Sequence, residues 1–177
     1  MPLVEKRYAE ALVKISVEKD MIKQHQQELA LVAELYGREK DLKDFLLNPK
    51  TDRDTKKAFL SGIFSGRLEN EVLGLLLLLL EKGRINHLPG INEEYSKLAD
   101  ERLNMLNMSI YAAVPLEEDQ IRNISEKFRK LYDASAVKTS VVIDGSLVGG
   151  VKVMIGDKLL DGSIRGRLKE LQGILLK

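Results

Sequence analysis

The chain contains no cysteine and no tryptophan, and only 4 of its 177 residues are proline. The missing thiols exclude disulfides, thiol nucleophiles and the commonest zinc clusters, and they suit a reducing compartment. Charge of one sign is also lacking: 28 Lys and Arg balance 27 Asp and Glu, leaving no overall field to hold nucleic acid or an anionic membrane. The start, MPLVEKRYAEAL, has neither the apolar core of a signal peptide nor the acid-poor, arginine-rich look of a transit peptide, and a cytosolic chain is expected. The longest apolar run, Val72 to Leu80, lies between Glu71 and Glu81. It is far short of the about 20 residues a membrane-spanning helix needs.

What is present is a helical pattern and then a change of period. Tyr8, Leu12 and Ile15 recur at helical spacing, and Ile22, Leu29, Val32 and Tyr36 form a second stripe. Asp20 is the expected cap of that second helix, and Gly37 its expected stop. A short helix around Leu42 to Leu47 should stop at Asn48-Pro49. Thr51 is then the expected cap of a helix carrying Phe59 and Ile63. A leucine helix follows from about Glu69 to Lys82, ending at Gly83, and a last one carries Ile91, Tyr95 and Leu98. From residue 106 the apolar residues alternate instead: Leu106, Met108, Ile110, Ala112 and Val114, the period of a strand. Pro115 ends it, and Glu117, Glu118 and Asp119 suit a helix's first turn, with Ile121, Ile124, Phe128 and Leu131 on one face. Val137 to Ile143 and Val151 to Ile155 alternate again, and Ile164, Leu168, Leu171 and Leu175 mark a final helix. The expected class is therefore mainly α, with a helical bundle over residues 1–105 and a small α+β domain over 106–177.

The leucine helix raises the sharpest question. Residues 72–80 are apolar around the whole circumference, so the helix must be covered on every side. One side meets the core; the other is covered by a neighbouring helix or by another protein. Sequence leaves both coverings open.

GSLVGGVK, Gly145 to Lys152, approaches a phosphate-binding loop, but Val151 precedes the lysine and Val153 replaces the hydroxyl residue. It also falls between two strands rather than before a helix, so its glycines are read as turn and bulge residues. His25 lies on an apolar helix face and His87 at a helix break, 62 residues on, without metal-ligand spacing. The carboxylate pairs Glu93-Glu94 and Glu117-Glu118 fall at helix starts, where the dipole accounts for them. LSGIFSG lacks the strand–turn–helix setting of a nucleophile elbow. Arg122, Lys127, Arg129 and Lys130 are interleaved with acids, as on a solvated face. No catalytic residue, cofactor site or metal site is expected.

Three segments carry a resemblance: RYAEAL (Arg7 to Leu12), LLLLLLEKGRINHLPGI (Leu75 to Ile91) and VVIDGSLVGGVKVMIGDKLLDGSIRGRLKEL in the C-terminal part. In order and position they resemble the delta-subunit family of bacterial F-type ATP synthases, which includes the mitochondrial subunit conferring oligomycin sensitivity. One departure is Gly145, where many members carry proline. The resemblance implies a non-catalytic stator subunit: an N-terminal six-helix bundle binding N-terminal segments of the alpha subunits, and a C-terminal domain binding the b-subunit coiled coil. It implies no nucleic-acid partner, no small-molecule substrate, and a place at the cytoplasmic face of the bacterial membrane held only through the complex. The family's groove for the alpha segment maps to Tyr8, Ala11, Leu12 and Ile15 on one wall and Leu75, Leu78 and Leu79 on the other. Arg165, Arg167 and Lys169 are the expected b-subunit contacts, an ordinary exposed helix face being the other reading. The rival readings are a generic helical scaffold and a nucleotide sensor using Gly145–Lys152.

Overall fold

The computed structural model describes residues 2–163. The chain divides into two compact units, the first ending at Ala99 and the second starting at Asp100, six residues before the change of period in the sequence. The class is mainly helical with one small four-stranded sheet.

The first unit contains α1 (Pro2–Glu18), α2 (Ile22–Arg38), α3 (Lys40–Leu47), α4 (Arg53–Phe64) and α5 (Asn70–Glu81). A 3-10 turn (Ile85–His87) then leads into α6 (Leu88–Arg102), whose last turn crosses the division. Apolar stripes at helical spacing meet in one core that includes Leu12, Leu29, Tyr36, Leu60, Leu76, Leu79, Ile91 and Tyr95. Five residues of α5 alone, Val72, Leu75, Leu76, Leu79 and Leu80, are buried. At about 1.5–3 kcal/mol for each such side chain withdrawn from water, α5 is the central post of this unit. It stops where Gly83 takes φ +65°, a left-handed turn that costs a side-chain-bearing residue about 1–2 kcal/mol.

Three expected helix ends are corrected. Asp20 does not cap α2; it takes φ +55° in the turn before it, and Met21 holds the cap position. The turn is instead closed by backbone bonds, Met21 N–H to Ser16 O at 2.9 Å among them. Gly37 does not stop α2, which runs through to Arg38. Asp52, not Thr51, caps α4, its carboxylate accepting from the Thr55 amide at 2.8 Å and the Thr55 hydroxyl at 2.6 Å. Those bonds hold the Asp52 carboxyl below the ordinary aspartate range.

A polar knot lies inside this apolar core. His25 and Ser16 are fully buried. The Ser16 hydroxyl donates to Leu12 O at 2.7 Å and accepts from the Tyr95 hydroxyl at 2.8 Å, and it contacts His25 Nδ1 at 2.7 Å. Tyr95 Oη also reaches Ile22 O at 3.2 Å. Burial pushes the Tyr95 phenol up from its ordinary value, with the Ser16 bond opposing. The knot fastens α1, α2 and α6 together.

In the second unit β1 (Met105–Ala112) is followed by α7 (Glu118–Leu131), β2 (Ala136–Ile143), β3 (Val151–Ile155) and β4 (Lys158–Asp161). The strand order is β2-β1-β3-β4. β1 and β2 are parallel, Met108 opposite Thr139, and α7 makes the crossover between them. β1–β3 and β3–β4 are antiparallel. The acidic start of α7 forms a capping box between Glu117 and Gln120. Its apolar face, Ile121, Ile124 and Phe128, packs on Met108, Ile110, Val153 and Ile155. β4 was not legible in the alternation, because its four residues form an edge strand with every side chain exposed.

Candidate functional site

α1 and α5 lie side by side and antiparallel, as two side-chain contacts at opposite ends show. Lys19, just past the end of α1, pairs with Glu71 in the first turn of α5. Arg84, just past the end of α5, donates to Tyr8 Oη at 3.1 Å near the start of α1. Its guanidinium also sits 5.9 Å from the Tyr8 ring centre, within cation–π range.

Between the helices runs a trough with a volume of about 330 Å³, lined by Val4, Arg7, Tyr8, Ala11, Leu78 and Arg84. Val4, Tyr8, Ala11 and Ile15 follow one another at i, i+4, i+7 and i+11, a single stripe along α1 about 16 Å long at 1.5 Å per residue. Ile15, on this stripe, is 39% exposed, and Leu78, on α5, is 41% exposed. On α5, Gly74 lies one turn before Leu78, exposed, and a methyl group added there would meet no atom within 4 Å. Ala11, which lines the trough, and Gly74, exposed one turn from Leu78, both leave open space at the surface.

The residues mapped to the groove from sequence do not all stand at its surface. Tyr8, Ala11 and Leu78 line it; Ile15 is exposed farther along α1, outside the lining. Leu12 (3% exposed), Leu75 (8%) and Leu79 (0%) are core residues that do not line the trough, because their faces of α1 and α5 turn toward the other helices of the unit. Val4, Arg7 and Arg84 were missed as lining residues. Val4 extends the Tyr8–Ile15 stripe by one turn, and both arginines stood inside the motifs RYAEAL and EKGR, so the signal was present. Arg165, Arg167 and Lys169 lie outside the described residues.

The electrostatics of the two trough ends differ. At one end Lys19 and Glu71 neutralise each other, and Glu71 Oε2 also faces His25 Nε2 at 3.7 Å. The Lys19 hydrogen bond is the chief reason the Glu71 carboxyl is held below the ordinary glutamate range. At the other end Glu5 accepts from or pairs with His87 Nδ1 at 3.0 Å and is seated against Gly90. Arg7 and Arg84 have no carboxylate partner among the described residues.

The glycine-rich segment is a connection between β2 and β3. Asp144 O accepts from the Leu147 amide at 3.1 Å, and the Asp144 carboxylate accepts from the Ser146 amide at 2.9 Å. Gly150 takes φ +79°, and the chain passes directly into β3. A phosphate-binding loop needs a helix N-terminus at that point; here a strand begins, so the near-motif is turn chemistry. Among the described residues there is no group of three or more His, Asp or Glu placed to hold a metal ion, and no helix is long and apolar enough to cross a membrane.

Comparison with known proteins bears on the whole chain. Residues 4–175 match the family model for the ATP synthase delta (OSCP) subunit. The ATP synthase subunit delta of Acetivibrio thermocellus is 45% identical over 177 residues, covering 100% of this chain and 99% of that one. That of Ruminiclostridium cellulolyticum is 42% identical over 175 residues, covering 99% of each. That of Bacillus cereus strain B4264 is 38% identical, covering 99% of this chain and 97% of its own. In fold, the chain is similar to one in the cryo-EM structure of the Toxoplasma gondii mitochondrial ATP synthase hexamer, with a TM-score of 0.69 at 18% identity over 98% of this chain and 97% of that one. Matched along nearly its full length by sequence and by fold, the chain belongs to the ATP synthase delta (OSCP) subunit family.

Proposed function

We propose that the α1–α5 trough receives an amphipathic helix from the N-terminal segment of an ATP synthase alpha subunit, and that the second unit binds the distal end of the b-subunit coiled coil. As a member of its family the protein is a structural, non-catalytic subunit of an ATP synthase, with a linking role in the peripheral stalk. In this reading α1–α6 act as one six-helix bundle that grips the catalytic head. The second unit ties that bundle to the stalk, so the head stays still while the rotor turns. The working place is the cytoplasmic face of a bacterial cell membrane, reached through the complex alone.

One observation carries the head-binding half: Leu78, 41% exposed, lies beside Val4, Tyr8 and the small Ala11 in a trough between α1 and α5. Helix-in-groove recognition uses apolar anchors spaced along one stripe, and Val4, Tyr8 and Ala11 at i, i+4 and i+7 of α1, facing Leu78, support that reading. Two weak contacts joined in one assembly then hold by effective concentration, which suits a clamp loaded continuously by torque.

The test is a titration of the full chain with a synthetic peptide of the cognate alpha-subunit N-terminus, beside a titration with ATP. Micromolar peptide binding, lost in Leu78→Glu with an unchanged circular dichroism spectrum, is the expected result. Peptide affinity unaltered by Leu78→Glu refutes the site, and a response to ATP that requires Lys152 favours the nucleotide-sensing alternative.

A further inference from the structure

We propose that Arg7 and Arg84 form a carboxylate-receiving mouth at one end of the trough, and that this mouth sets the direction in which the partner helix lies. The inference rests on the helix-in-groove reading and adds the chemistry that orients the occupant.

Both arginines line the trough, Arg84 bonded to Tyr8 and Arg7 next to Tyr8 on α1, away from the Lys19–Glu71 pair at the other end of these helices. The nearby acid, Glu5, is already engaged by His87 and seated against Gly90. Glu10 pairs with Lys6 at 3.9 Å, and Glu81 with Lys57 at 3.1 Å and Lys82 at 3.8 Å. The mouth therefore holds two cations with no carboxylate assigned to them among the described residues. Arg84 is further held in place by its bond to Tyr8 Oη and its position over the ring, so its guanidinium is pre-oriented rather than free to sweep.

A helix laid into the trough removes water from this mouth. Bare guanidinium groups then oppose docking, unless the incoming helix brings a negative group to meet them. Arginine suits a carboxylate particularly well, since its planar fork donates to both carboxylate oxygens at once. The far end offers no such demand, because Lys19 and Glu71 already satisfy each other there. An apolar helix alone would fit the trough in either direction; one cationic end breaks that symmetry. The occupant is thus an amphipathic helix whose apolar stripe covers Tyr8 to Ile15, with an Asp or Glu about one turn beyond the stripe on the arginine side.

The experiment uses the full chain and a peptide of about 25 residues from the cognate alpha-subunit N-terminus, more than enough to span the trough. Its acidic residues are replaced one at a time by their amides, and each peptide is titrated against the wild type and an Arg7→Gln/Arg84→Gln double variant, at low and high salt. The expected result has three parts. The double variant binds the native peptide about three- to tenfold more weakly at low salt, converging with the wild type at high salt. One amide peptide shows the same loss on the wild type and none on the double variant. Arg84→Glu recovers affinity for a peptide with lysine at that one position. If all amide peptides bind the wild type alike, or if the double variant matches the wild type at every salt concentration, the mouth has no orienting role while the trough reading stands. If the native peptide binds neither protein, the trough reading falls and this inference with it.

Discussion

Two adjacent leucines on one helix should behave in opposite ways. Leu79 is fully buried, whereas Leu78 is 41% exposed at the trough. Truncating a buried leucine to alanine costs about 2–5 kcal/mol, the spread reflecting how far the site relaxes around the cavity. Leu79→Ala should therefore lower unfolding free energy by that amount and leave peptide affinity of the remaining folded protein nearly unchanged. For Leu78 the ledger splits. Full burial of a leucine is worth about 1.5–3 kcal/mol, and with 41% of the residue in solvent roughly two fifths of that is available to a partner. This is about 0.6–1.2 kcal/mol, or about three- to eightfold in affinity. The rest, about 0.9–1.8 kcal/mol, already supports the fold and is an upper figure because unfolded chains bury some apolar area themselves. Urea denaturation followed by peptide titration under folded conditions measures both quantities for both variants. Equal stability losses with no affinity difference would refute the division of α5 into a core face and a partner face.

Two further outcomes follow from polar contacts within the first unit. Tyr95→Phe removes a donor to Ser16 and to Ile22 O inside the core, and should cost about 1–3 kcal/mol in urea denaturation; a neutral result would mean the knot contributes nothing to packing α1, α2 and α6. Glu71 has its carboxyl pKa lowered in the folded state, chiefly by the Lys19 hydrogen bond. Its contribution is therefore complete above the unfolded glutamate pKa of about 4.3 and disappears as pH falls through the lower folded value. The stability gap between wild type and Glu71→Gln, measured from pH 7 to pH 3, should narrow only below about pH 5, and a constant gap would contradict this assignment.

Much of this architecture is legible in the residues alone. The change from helical to alternating period near residue 105, the stop at Gly83 and the turn reading of Gly145–Lys152 all follow from local chemistry. Local chemistry fixes period and punctuation because it depends on neighbours in the chain. Asp20 and Gly37 show its limit: each carries a strong signal for a helix end, yet Asp20 serves the turn, and Gly37 is carried along inside a helix already fixed by Tyr36 and Val32 in the core. Thr51 and Asp52 are both competent caps, and only the backbone path chose between them.

The direction of α5's faces belongs to the tertiary structure. Six leucines in succession at 75–80 give no polar contrast to mark a solvent side, so the sequence states that the helix is covered without stating by what. Packing against the rest of the first unit buried Leu75, Leu76, Leu79 and Leu80 and left Leu78 outside. The same packing brought Arg84 to Tyr8, 76 residues apart in the chain, and so built a charged mouth that no window of sequence contains. Composition decides that such a helix must be sheltered; only the fold decides which of its sides remains for a partner.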